Sequence, residues 1–125
     1  MEEIIQFWKQ GAREALETAE ILYKNDRYDY ALFFCHLSLE KILKSRIIRQ
    51  SSEHAPRSHD LLFLCGIAKV DLDKTREDNL REIGDFNIEG RYAEEKLLLY
   101  KKATKEYTIQ WFETTKELFI WLSKQ

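Results

Sequence analysis

The stretch from Tyr28 to Arg49, YDYALFFCHLSLEKILKSRIIR, contains neither glycine nor proline, and its apolar residues at positions 28, 32, 35, 39 and 42 follow the alternating four-and-three spacing of a helix seam. Its first half is apolar nearly all round, with Ala31, Leu32, Phe33, Phe34 and Cys35 in succession. The second half sets Glu40, Lys41, Lys44, Arg46 and Arg49 between Leu39, Ile42, Leu43, Ile47 and Ile48. This pattern predicts a long helix, buried at one end and polar at the other, around which the rest of the chain must pack. Across the seam runs a second line: His36, Glu40 and Lys44 are four apart and lie along one side of the helix. On a solvent face the line is an ordinary i,i+4 pairing, and in a cleft it is a preorganised polar site. The residues alone favour the solvent face by a little.

The flanking sequence predicts what packs on that helix. From Glu2 to Lys24 a single stripe of Ile4, Ile5, Trp8, Ala12, Ala15, Leu16, Ala19, Leu22 and Tyr23 marks an amphipathic helix whose small alanines allow close approach. Asn25-Asp26 supplies turn and capping chemistry, so the two helices should form an antiparallel hairpin. After Arg49, QSSEHAPRS holds the chain's one proline, Pro56, and reads as a loop. Ser58 is the expected cap of a short third helix, with Asp60 in its first turn and Leu61, Leu62, Leu64, Cys65 and Ala68 on it. Asp71 to Asp73 should separate it from a fourth segment, Lys74 to Asn87, which Gly90 would close. A last helix is expected from Glu94 to Leu122, with Leu97, Tyr100, Thr104, Tyr107, Trp111, Leu118 and Leu122 near heptad spacing. With 44% hydrophobic residues, four glycines and one proline, the composition argues against disorder and against a turn-rich β fold. The predicted architecture is an all-α up-and-down bundle of three long helices plus shorter ones, one domain over residues 1–125.

Several chemistries are disfavoured. Twenty Lys and Arg against 22 Asp and Glu leave a formal charge of −2, so no global field draws in nucleic acid. Gly11, Gly66, Gly84 and Gly90 are too scattered for a phosphate-binding loop, and H-E-x-x-H and C-x-x-C spacings are absent, so no metal or nucleotide cofactor is predicted by those routes. No apolar run has the length of about 18 residues that a membrane span needs. Glu2 and Glu3 at the start are unlike a secretory signal, and Cys35 and Cys65 read as buried thiols of a reducing compartment, so a cytoplasmic protein is expected. What stands out is local charge. Lys41, Lys44, Arg46 and Arg49, with Arg57, His54 and His59 across the loop, should gather at one end of the bundle as a phosphate-holding patch or as solvated complements to a helix C-terminus. His59-Asp60 can stabilise a helix start or belong to a site. Arg91-Tyr92, just before the last helix, points mildly to function, because an arginine there gains nothing from the helix dipole.

Four of these motifs, in this order, resemble the HEPN domains. Ser38-Leu39-Glu40-Lys41-Ile42-Leu43-Lys44-Ser45 is similar to that family's small-apolar-Glu-Lys-apolar-apolar-Lys-small segment. Trp8, Ala12, Ala15 and Ala19 resemble its first helix, and Tyr28 and Ala31 the start of its second. Ser58-His59-Asp60-Leu61 resembles its Thr/Ser-His-Asp-Leu, and Arg91-Tyr92 its Arg-Tyr before the final helix. The resemblance implies a helical bundle that usually forms a homodimer, is often encoded beside a minimal nucleotidyltransferase, and frequently serves toxin–antitoxin or defence systems. Many members are metal-independent ribonucleases that use an Arg and a His separated by four to six residues near a late helix. Here Arg91 is followed at 96 to 98 by Lys96, Leu97 and Leu98, so that histidine is missing; Arg49 and His54 meet the spacing formally but in a different part of the fold. The resemblance therefore points to a binding module, with a metal-independent RNase toxin acting at a dimer cleft and a ligand-free structural helical adaptor as the alternatives. Glu40, Lys41, Lys44, His59, Asp60, Arg91 and Tyr92 are its candidate nucleotide- or phosphate-binding residues, with Glu40 orienting Lys41 or Lys44 and Tyr92 stacking at the cleft. Phe33 and Phe34 would build core and dimer contacts, while Glu40 and Lys44 line a cleft shared with His59 and Arg91.

Overall fold

Asn25 ends the first helix by folding back on it, its backbone N–H and its Nδ2 both donating to the Ile21 carbonyl, at 3.1 and 2.8 Å. Asp26 then takes a left-handed φ of 62°, a conformation an aspartate tolerates, and the chain reverses into the second helix. The computed structural model describes residues 1–125 and contains six helices and no strand: α1 (Glu2–Lys24), α2 (Tyr28–Ser51), α3 (Leu61–Ile67), α4 (Lys74–Gly84), α5 (Ala93–Lys102) and α6 (Lys105–Ser123). The bundle architecture expected from the periodicity is what forms, with α1, α2 and α6 as its long members. No helix is long and apolar enough to cross a membrane.

α1 and α2 share the largest interface in the molecule. It is built on the small residues anticipated above, since Ala12, Ala15 and Ala19 are all buried. At Gly11 the approach is closest: a Cβ there would lie 3.2 Å from Lys41 Nζ and 3.3 Å from its Cδ, so the lysine stem runs across bare backbone. α6 packs on both α1 and α2, while α3 and α4 pack on α2 and on each other. One apolar cluster joins Leu32, Leu39 and Leu43 of α2 to Leu61, Leu64, Leu80, Ile83, Leu118 and Leu122. Phe86, fully buried just beyond α4, meets the rings of Tyr107 and Trp111 edge-on, each at 6.0 Å. Cys35 and Cys65 are both free and buried, and burial pushes their thiols up to about 12 and about 11.

Several expected boundaries move. The last helix is two helices, because Thr104 Oγ1 accepts from the Tyr107 amide at 3.1 Å and caps a new start. The break changes which side faces inward: Leu99 is buried, whereas Leu97 and Tyr100, which the heptad reading put in the seam, are exposed. α3 is capped by Asp60, whose carboxylate accepts from the amides of Leu62 (3.1 Å) and Phe63 (3.2 Å). Ser58 instead accepts from the Asp60 amide at 3.1 Å and holds the cap in place. α4 stops at Gly84, and Gly90, with φ 75°, serves the turn before α5 rather than the end of α4. Phe33 and Phe34 lie edge-on to each other at 5.5 Å and are only half-buried; Phe34 packs against the small cluster of Ala19, Cys35 and Phe112, whereas Phe33 joins no core cluster.

Candidate functional site

A glutamate and a lysine in mid-helix, one turn apart, are ordinarily solvated. Here His36, Glu40 and Lys44 are 1%, 3% and 5% exposed, so the polar line of α2 faces inward. Two distant segments cover it. The loop before α3 brings His59 over Glu40, and its Nδ1 donates to both carboxylate oxygens, each at 3.0 Å. From α1, Trp8 lays its ring against Lys44, whose Nζ is 5.4 Å from the ring centre and donates to Glu40 Oε2 at 2.9 Å.

His36 completes the network. Its Nε2 donates to the His59 carbonyl at 2.9 Å, which fixes the tautomer and leaves Nδ1 as an unprotonated acceptor 4.0 Å from Glu40 Oε1, without a hydrogen-bond partner. Burial is the largest influence on this imidazole and lowers its pKa; the His59 carbonyl and the Glu40 charge oppose that without reversing it. His59 is therefore held twice, through its backbone by His36 and through its ring by Glu40. Its own Nε2, on the ring edge away from Glu40, makes no hydrogen bond within the chain, and its side chain is half exposed.

That side chain borders a cleft of about 610 Å³, lined also by Asp60, Arg81, Asp85, Asn87 and Arg91 and floored by Leu61 and Leu80. Arg91 donates from Nη1 to Glu95 Oε2, at 3.2 Å, in the first turn of α5. This carboxylate is what offsets an arginine at a helix start. No three carboxylate, imidazole or thiolate groups are arranged to hold a metal ion.

The structure thus brings Glu40, Lys44 and His59 into one buried network, and His59, Asp60 and Arg91 onto one cleft. Glu40 and Lys44 sit behind His59 and do not line the cleft themselves. Lys41 is elsewhere, lying along Gly11 of α1. Tyr92 is mostly exposed at the N-cap of α5 and does not line the cleft. Of the expected cationic patch, Lys44 bonds Glu40, while Arg46 and Arg49 line one pocket with Lys9, Arg46 Nε donating to the Ala68 carbonyl at 3.3 Å and Arg49 pairing with Glu2 at 3.0 Å. His54 is exposed in the loop. Arg81 and Asn87 come from α4 and the turn beyond it, and no spacing in the sequence singles them out.

No curated protein and no solved structure gives a match to this chain. The HEPN domain family's sequence model matches residues 5–125, from the first turn of α1 through the cleft-bearing segments to the end of α6. The chain belongs to the HEPN domain family.

Proposed function

We propose that this protein is a non-catalytic HEPN module that binds a nucleotide or another phosphate-bearing ligand in the cleft between α3, α4 and the start of α5. The reading rests on one observation: Arg91, Arg81 and His59 converge on a single polar cleft, with His59 fixed from behind by the buried Glu40–Lys44 pair. An arginine with nitrogens to spare suits an anionic oxygen group, and a pre-positioned histidine lowers the ordering cost of binding. In the cell the module acts as a cytoplasmic homodimer and as the small partner of a minimal nucleotidyltransferase in a toxin–antitoxin-like pair, as its family membership supports. A thermal-shift panel of nucleoside mono-, di- and triphosphates is expected to raise the melting temperature, and Arg91→Ala to abolish the rise; a flat panel sinks the reading. Co-purification with a nucleotidyltransferase encoded beside it checks the partner.

One observation favours metal-independent RNA cleavage as the second reading. A carboxylate-held histidine with a free Nε2 beside an arginine is a combination able to move a proton next to a phosphate. RNA cut in the presence of a chelator, and spared by His59→Ala, decides for that reading over the first.

A further inference from the structure

We propose that the cleft selects anions that also carry a hydroxyl, with His59 Nε2 accepting the hydroxyl hydrogen and Arg91 holding the anion. This deepens the anion-binding reading above and rests on it. The ring of His59 has only one use for each nitrogen. Nδ1 is spent on Glu40, 3.0 Å from both oxygens, and turning the ring over would put carbon against that carboxylate. The backbone is pinned as well, through the 2.9 Å bond from His36 to the His59 carbonyl.

The charge of Glu40 is balanced by Lys44 at 2.9 Å. The groups around His59 are Glu40 and His36 from α2, its neighbour Asp60, and Arg81, Asp85 and Arg91 across the cleft. A neutral imidazole that donates through Nδ1 carries a lone pair on Nε2. That lone pair repels a phosphate or carboxylate oxygen and attracts an O–H. The anion consequently goes to Arg91, whose guanidinium gives only Nη1 to Glu95 and keeps Nε and Nη2 free of bonds within the chain. A ligand spanning both groups presents an anionic group and a hydroxyl within one small molecule. The ribose of a nucleotide and a small phosphorylated polyol both do so.

The test is calorimetric titration of the whole chain near neutral pH with two matched pairs: glycerol 3-phosphate against n-propyl phosphate, and adenosine 5′-monophosphate against its 2′,3′-dideoxy analogue. In at least one pair the hydroxylated ligand is expected to bind about five- to tenfold more tightly, the worth of one good hydrogen bond, and that pair identifies the source of the hydroxyl. His59→Phe should erase the ratio while leaving residual affinity, and Arg91→Ala should weaken every ligand. The wild-type comparison does not depend on any variant folding. Equal binding within both pairs overturns the hydroxyl inference and leaves the anion site standing, whereas no binding by any of the four ligands removes both.

Discussion

Lys44 is a buried cation held by one carboxylate and one indole face, an arrangement whose two halves depend on each other. Removing one member of a buried pair strands the other charge, which costs about 3–5 kcal/mol, whereas replacing both by apolar groups of similar size is often neutral. Glu40→Leu and Lys44→Leu are therefore each expected to destabilise by about 3 kcal/mol or more in urea, and the double variant to recover most of the loss. His36 adds a pH dependence with a definite sign. Its folded-state pKa lies below the ordinary 6.5, so the unfolded chain takes up its proton first. Stability is accordingly constant with respect to this group above 6.5 and falls as pH drops below it, until the lowered value is passed. His36→Asn should flatten that slope in denaturant titrations between neutral and mildly acid pH. The site was half legible at this scale. Spacing alone put His36, Glu40 and Lys44 on one line, but the direction in which the line faces is decided by Trp8 and His59, residues from other segments with no local signal that they close over it.

The helix ends legible in the sequence are those with an unbroken pattern and turn chemistry, as at Asn25-Asp26 between α1 and α2, whereas α2 continues past the expected Arg49 to Ser51. The division of α5 from α6 has no glycine or proline to announce it; its signal is a lone threonine among helix formers. Thr104→Ala is expected to cost about 1 kcal/mol through the lost cap, with Thr104→Ser close to neutral, both read from thermal denaturation. The junction is also braced from α4. The Tyr107 hydroxyl donates to Glu82, and Lys102 Nζ lies 2.7 Å from the same carboxylate. Burial alone would raise the Glu82 pKa, but these two bonds bring it below its usual value, while burial and the same bond push Tyr107 well above its own. At Gly11 the element scale predicts a gain. Alanine removes the entropic cost of a mid-helix glycine, and the neighbour that must give way is only the flexible Lys41 stem, so Gly11→Ala should stabilise by about 0.5 kcal/mol or more.

At the scale of the molecule, a charge of −2 spread over both signs leaves attraction of an anion to the cleft itself, so the protein's surface as a whole does not steer it there. What the surface does offer is α5. Of its ten residues only Leu99 is buried, while Leu97, Leu98 and Tyr100 stand 50%, 69% and 64% exposed. A helix this short holds its shape through packing rather than propensity, and within the chain α5 packs lightly on α2. The proposed homodimer fits here, since a second copy laid on α5 would bury that apolar side, on the helix that follows Arg91. Leu98→Glu is then expected to turn a dimer into a monomer in sedimentation equilibrium, with helicity unchanged by circular dichroism because the side chain makes little of the monomer's core. A wild-type chain that sediments as a monomer contradicts the dimer outright. A dimer that survives both Leu97→Glu and Leu98→Glu moves the contact away from α5, and with it any role for the partner copy in the cleft.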